Sequence, residues 1–422
     1  MHKPKTPARP DPRAGARALL ASIREGQDID RAETALDLPP PERARARRLA
    51  LATLRYRGRC DAVLAPLLHR RPRPAVMEAL HLAVTEMLAL NEAPHGVVNA
   101  TVTALRHGSP KLAASAGMAN AVLRKAAESR DIWDKAAPAR LPDWLRKPIG
   151  QNWGESTVRA IEAAHEAGAP LDLTPRPGAG PLPEGEMLPT GSLRLTAPGQ
   201  VSALPGYGEG AWWVQDAAAA LPARLLDAQP GEIVADLCAA PGGKTLQLAA
   251  MGAQVTAVDI AASRMKRLAE NLTRCGLTAT TITADALDWR PEAPLDAVLL
   301  DAPCSATGTI RRHPELPLLR DGSGLAELTT LQAELIDHAA SLLRPGGRLV
   351  YAVCSLLPAE GEDQMTAALA RLPGLTIAPA DPAALGIPAD WLTVQGAIRT
   401  RPDHWPDRGG VDGFFIACLR LG

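Results

Sequence analysis

The stretch Glu232-Ile-Val-Ala-Asp-Leu-Cys-Ala-Ala-Pro-Gly-Gly-Lys-Thr245 reads as a buried strand that enters a loop of small residues and then a helix. Ile233, Val234, Ala235 and Leu237 supply an apolar strand, and the pattern from Lys244 to Met251 continues as a helix. Between them, Ala239, Ala240, Gly242 and Gly243 let the backbone come close to a ligand. Dinucleotide folds place pyrophosphate at such a turn with GxGxxG spacing, which is absent here. The phosphate loop GxxxxGK[ST] is absent too, because Cys238 stands where its first glycine would be. Nicotinamide and nucleoside-triphosphate readings both lose ground.

Working outward, strands and helices alternate. Strands are expected at 232–237, 254–258, 278–283, 295–300 and 348–353, with helices at 244–251, 262–275 and 325–343. Residues 413–420 read as a last strand. The repeat predicts a doubly wound α/β sheet, whose chemistry sits at the carboxyl ends of its strands. Asp236, Asp259 and Asp285 close the first three strands. One such acid alone reads as a turn residue. Three beside a small-residue loop suit ribose hydroxyls and an adenine edge, hence an adenosyl ligand without pyrophosphate such as S-adenosylmethionine. Two further strands close on thiols, in Val298-Leu-Leu-Asp-Ala-Pro-Cys-Ser305 and Leu349-Val-Tyr-Ala-Val-Cys-Ser355. Cys304 and Cys354 therefore read as a nucleophile and an assistant. Cys60, Cys275 and Cys418 read as core, and Cys238 as packing in the cofactor loop.

The 422-residue chain has zero net charge but an uneven distribution. Residues 1–147 hold 26 Lys and Arg against 15 Asp and Glu, an excess of +11; the remainder holds 20 against 31, an excess of −11. A basic front on an acidic remainder fits a grip on a polyanion such as nucleic acid. Helical periodicity is expected over 14–24, 41–55, 75–90, 97–106 and 116–127, with prolines between the segments. The run Arg43-Ala-Arg-Ala-Arg-Arg48 either meets RNA phosphates or keeps a helix face soluble. In 168–210, 17 of 43 residues are Gly or Pro, around β-like pieces at 170–174 and 192–196. The expected domains are all-α 1–145, a small connecting subdomain 146–210 and the α/β domain 211–422. Six cysteines without a CxxC pair predict neither a disulfide framework nor a zinc site. With no apolar leader and no long apolar span, the expectation is a cytoplasmic protein with reduced thiols, monomeric and free of metal.

Three segments carry a family resemblance: 236–245, Asp301-Ala-Pro-Cys-Ser-Ala-Thr-Gly-Thr-Ile-Arg-Arg-His-Pro-Glu315, and Tyr351-Ala-Val-Cys-Ser-Leu-Leu-Pro358. They closely resemble bacterial ribosomal RNA cytosine-5 methyltransferases of the Sun/Fmu type. Trp213-Val-Gln-Asp-Ala217 and Asp412-Gly-Phe-Phe-Ile416 resemble that family's flanking motifs. The front, with Pro94-His-Gly-Val-Val98 and Asn120-Ala-Val-Leu-Arg124, resembles its NusB-type RNA-binding domain. The implied fold class is multidomain: an all-α NusB-like N-terminal domain plus an α/β Rossmann-like class I methyltransferase domain. The chain departs from the family around 175–189, which is short and rich in Pro and Gly where the family builds a helix and strands.

Carbon 5 of cytosine is a poor nucleophile until a thiolate adds at carbon 6. Covalent addition then divides one hard step into easier ones. By resemblance, Cys354 attacks, Cys304 assists release of the product, and Asp301 bonds the cytosine amino edge and ring nitrogen. Cytosine-5 DNA enzymes attack with a Pro-Cys thiol, so Cys304 stands as the second candidate attacker. The implied S-adenosylmethionine site comprises Cys238, Ala239, Ala240, Pro241, Gly242, Gly243, Lys244, Asp259, Asp285 and Asp301. Lys244 reads as a cofactor or active-site contact in preference to a helix-start cation. Arg311, Arg312 and His313 are expected to meet RNA and to place an extruded base. Trp212 and Trp213 read as core in preference to base-stacking platforms. The substrate implied is RNA, a small-subunit ribosomal cytidine; alternatives are transfer RNA, or a non-catalytic RNA-binding assembly factor.

Overall fold

The computed structural model describes residues 11–195 and 199–422. The chain divides into two units, 1–143 with 312–321, and 144–311 with 322–422. In the first, helices run Pro12–Arg24, Ile29–Thr34, Pro40–Arg55, Arg57–Leu64, Pro74–Val84, Pro94–Arg106, Pro110–Ala113, Ala116–Ala127 and Arg130–Lys135. Prolines that read as separators instead open helices at Pro40, Pro74, Pro94 and Pro110. A first-turn residue needs no N–H partner, and proline's fixed φ already suits a helix. Val63, Leu64, Leu80, Val84, Val97 and Leu123 form the centre of this unit's main core. Each such side chain contributes roughly 1.5–3 kcal/mol by leaving water. Residues 312–321 join this unit because Leu319 packs against the cluster of Ala16, Leu19 and Leu20.

The second unit opens on a helical stretch, Asp143–Ala167, that breaks at Gly154, where φ is +82°. Pro148, Gly150 and Gly154 disguise this stretch in the sequence. Next comes a four-stranded antiparallel sheet of β1 (Leu171–Pro175), β2 (Glu186–Met187), β3 (Leu193–Leu195) and β4 (Trp212–Val214), ordered β2-β3-β1-β4. Its buried pair Asp172–Arg194, at 2.7 Å, bridges residues that face each other across β1 and β3. The segment expected to stand apart at 146–210 thus lies within the second unit, because its strand β1 pairs with β4. The 192–196 piece is described only to Leu195; Thr196 lies outside the described residues.

The main sheet is built from β5 (Ile233–Leu237), β6 (Gln254–Asp259), β7 (Thr280–Thr283), β8 (Leu295–Asp301), β9 (Leu343–Val353), β10 (Leu375–Ala378), β11 (Ile398–Arg399) and β12 (Phe415–Leu421). Its order is β10-β12-β9-β8-β5-β6-β7, with β11 beside β12. Strands β5 to β9 pair in parallel, whereas β12 and β10 are antiparallel additions. Strand order reverses between β5 and β8, the position at which open α/β sheets leave a crevice. Helices Gly243–Ala250, Ala262–Cys275 and Leu325–Ser341 lie close to their expected bounds. Among the described residues no helix is long and apolar enough to cross a membrane.

Candidate active site

The loop after β5 is tightly constrained. Cys238 adopts φ +61°, the Ala240–Pro241 peptide is cis, and Gly242 adopts φ +105°. A Cβ at Gly242 would lie 2.7 Å from Leu268 Cγ, so the turn requires glycine for both conformation and space. The Asp259 carboxylate accepts from Ala240 N–H at 3.1 Å, Ala261 N–H at 2.8 Å and Arg264 at 3.1 Å. This acid therefore braces the loop and the start of the next helix. Asp285 is exposed and accepts from Leu287 N–H at 2.9 Å.

Asp236 is fully buried and accepts from Thr245 Oγ1 at 2.5 Å, while its other oxygen has no partner. Burial pushes this carboxyl up to about 7, against the lowering effects of Thr245 and Lys244. An unfilled acceptor behind a loop of small residues fits a cofactor that brings an ammonium and a sulfonium. Because the folded pKa lies above the unfolded one, Asp236 favours the folded state at low pH. That advantage is lost as pH rises from about 4 to about 7. Asp236→Asn is therefore expected to raise the melting temperature of the ligand-free protein at pH 8 relative to wild type, and to leave it nearly unchanged at pH 4. The full linkage is at most roughly 4 kcal/mol at about 1.4 kcal/mol per pH unit. Equal pH–melting curves for the two proteins would refute it.

At the adjacent strand ends, Cys304 Sγ and Cys354 Sγ lie 3.5 Å apart. Their strands are in parallel register up to Asp301 opposite Ala352, so both thiols leave the same edge of the sheet. The hydrogen bond with Cys354, burial, and the charges of Cys354 and Glu360 together hold Cys304 well above the ordinary thiol range. Cys304 is thus kept protonated. Lys244 Nζ donates to Asp301 Oδ2 at 2.7 Å and stands 5.5 Å from the Phe414 ring centre. Burial opposes the Lys244 charge, but Asp301, Asp236 and Cys354 outweigh it and raise its pKa, so the ammonium persists. The structure thereby brings together the cofactor loop, Lys244, Asp301 and both thiols.

Gly308 knits the surrounding loops. Its N–H donates to the Cys354 carbonyl at 2.9 Å, and its own carbonyl accepts from Gly413 N–H at 2.8 Å. A Cβ there would lie 1.8 Å from the Gly413 oxygen, which no side chain allows.

Arg311 corrects an expectation. It is not an RNA contact at the surface: it is fully buried, donating to Asp412 at 2.5 Å, Asp216 at 2.6 Å and the Gly409 carbonyl at 2.8 Å. A guanidinium with two carboxylates satisfies a buried charge and joins the segments around Asp216 and Asp412. Arg312 and His313 fall in the 312–321 segment of the first unit, where His313 Nδ1 is 3.2 Å from Glu315. Trp212 and Trp213 are buried, hence core. In the arginine run, Arg45 and Arg47 pair with Glu92 and with Asp30 and Glu33, while Arg48 is exposed. Sequence reasoning missed Glu360, Gln332 and Arg399 around the thiols. One signal was present: each thiol is followed by serine, Ser305 and Ser355, and both serines are buried.

The 16S rRNA methyltransferase RsmB/F family model matches residues 223–420, and the NusB family model matches 13–128. Ribosomal RNA small subunit methyltransferase B of Pseudomonas syringae pv. tomato is 36% identical, covering 97% of this chain and 96% of that protein. Its counterpart from Xanthomonas campestris pv. campestris is also 36% identical, covering 96% of each. The solved structure of PH0851 superimposes with a TM-score of 0.69 at 25% identity, covering 97% of this chain and 98% of that one. The helical unit is accordingly a NusB-type domain, and the mixed sheet is Rossmann-like. With motifs, fold and near full-length similarity in agreement, the chain belongs to the ribosomal RNA small subunit methyltransferase B family.

Proposed function

We propose that this chain transfers a methyl group from S-adenosylmethionine to carbon 5 of a cytidine in small-subunit ribosomal RNA, through a covalent adduct at carbon 6. The observation that carries the reading is the pair of thiols 3.5 Å apart beside the Lys244–Asp301 ion pair, at the end of the sheet where strand order reverses. Cys354 Sγ forms a bond to carbon 6, and the displaced electron pair makes carbon 5 nucleophilic. Asp301 stabilises the adduct at the ring nitrogen and amino edge, with Lys244 holding the carboxylate in place. When bound, the cofactor supplies an electrophilic methyl group. A base then takes the carbon-5 proton, whose bonding electrons return to the ring and expel the Cys354 sulfur as thiolate, a release that Cys304 assists.

The loop 238–243, with Lys244, Asp259, Asp285 and Asp301, would hold the cofactor. The basic helical unit would grip RNA phosphates through exposed cations such as Arg48. We further propose that the protein works as a monomer in the cytoplasm, where ribosomal RNA is made.

Bisulfite sequencing of RNA from cells with and without the gene tests the reading. One small-subunit ribosomal cytidine is expected to lose its protection in the deleted strain and to regain it on complementation. Loss confined to transfer RNA would move the substrate, and no change in either RNA would sink the assignment.

A further inference from the structure

Glu360 is fully buried in the 3₁₀ turn Pro358–Glu360, just beyond Cys354. Its Oε1 accepts from the Ser305 N–H at 2.8 Å and from Gln332 Nε2 at 3.1 Å. Its Oε2 accepts from Ser305 Oγ and Ser355 Oγ, both at 2.5 Å. Gln332 Nε2 also donates to the Pro303 carbonyl at 2.8 Å. A single carboxylate therefore fixes the residue after each thiol and, through Gln332, the residue before Cys304. Four donors from three residues offset what burial of a charge costs.

We infer that Glu360 is a positioning residue that sets where Cys304 stands relative to Cys354, and so controls release of the methylated product. The inference rests on the reading above, in which Cys354 attacks and Cys304 assists release. The asymmetry between the loops carries it. Cys354 follows directly on β9, which is paired on both sides up to Ala352 opposite Asp301 and Val353 opposite Phe415. Its carbonyl is held by Gly308, and the next carbonyl accepts from Arg399 at 2.5 Å. Cys304 lies three residues beyond the end of β8, in irregular chain. There Glu360 holds Ser305 at both backbone and side chain. Losing the carboxylate frees the Cys304 loop far more than the Cys354 loop, and the charge beside Cys304 goes with it.

The test uses the full chain with its RNA substrate and methyl-labelled S-adenosylmethionine. Glu360→Ala, Glu360→Gln, wild type and Cys304→Ala are run on one denaturing gel. Glu360→Ala is expected to slow turnover on the order of 10²-fold, the scale of an ångström-sized misplacement. A shifted protein–RNA band should accumulate, as in Cys304→Ala, while KM for the cofactor stays near the wild-type value. Glu360→Gln should restore most of the turnover. Its amide oxygen still accepts from Ser305 N–H, and the Ser305 hydroxyl can turn to Thr307 Oγ1, 3.2 Å away. Wild-type turnover by Glu360→Ala overturns the inference. So does a loss of product and band together, the mark of a site that has merely come apart. A Cys304→Ala control that traps nothing overturns the attack-and-release reading itself, and the inference falls with it.

Discussion

Replacing Cys354 by alanine is expected to abolish methyl transfer to RNA, a loss on the order of 10⁴-fold or more, as when a covalent nucleophile is removed. Without a sulfur at this position nothing adds to carbon 6, and carbon 5 stays unreactive. Cys304 does not stand in for it, although only 3.5 Å away. With Cys354 gone, burial and the nearby Glu360 still oppose its thiolate, whereas only a thiolate attacks. The fold should tolerate the change, because Cys354 is only half-buried and the sheet beneath it is untouched. Cofactor affinity and melting temperature should therefore stay close to wild type while label transfer to RNA disappears. Normal turnover by Cys354→Ala would remove the basis of the mechanism.

Cys304→Ala is expected to do the opposite to the adduct. Attack by Cys354 and methylation still occur, but release stalls, so a protein–RNA complex survives denaturation and migrates as a shifted band. Turnover should fall to about one event per enzyme, seen as a burst without a steady state. If Cys354→Ala traps the complex and Cys304→Ala does not, the two roles are exchanged and Cys304 is the attacker. The close approach of the sulfurs allows either assignment on distance alone. The paired strand β9 that leads directly into Cys354, against the irregular loop that carries Cys304, favours Cys354 as attacker.

The Rossmann-like sheet was legible because its strands are short apolar runs that end on functional residues, a signal local in sequence. The helix 262–275 carries apolar Met265, Leu268 and Leu272 at helical spacing and forms with those bounds. The stretch Asp143–Ala167 was illegible because Pro148, Gly150 and Gly154 imitate a loop, and only the packing of Ile149, Val158 and Ile161 retains its helical turns. Antiparallel β10 was lost because it is only four residues long between Gly374 and Pro379, and it gains its order from β12. At the site, the thiols, Asp301, Lys244 and the small-residue loop announce themselves through types rare at strand ends. Arg311 misleads for a physical reason. A cation on a loop looks like a phosphate ligand until Asp216 and Asp412, distant in sequence, enclose it. Glu360 escapes notice likewise, since Glu360 and Glu362 read alike and only the first is sealed from water.

Strand β12 lies between β10 and β9, and the residues leading into it supply Asp412 to Arg311, Gly413 to Gly308 and Phe414 to Lys244. A ribosome making this chain has therefore produced both thiols, the loop after β5 and the whole helical unit before these contacts can form. Until Asp412 is added, Arg311 lacks one of its two carboxylates, and until β12 is complete β9 has an open edge. The loops around the thiols are thus braced only when the sheet closes on β12.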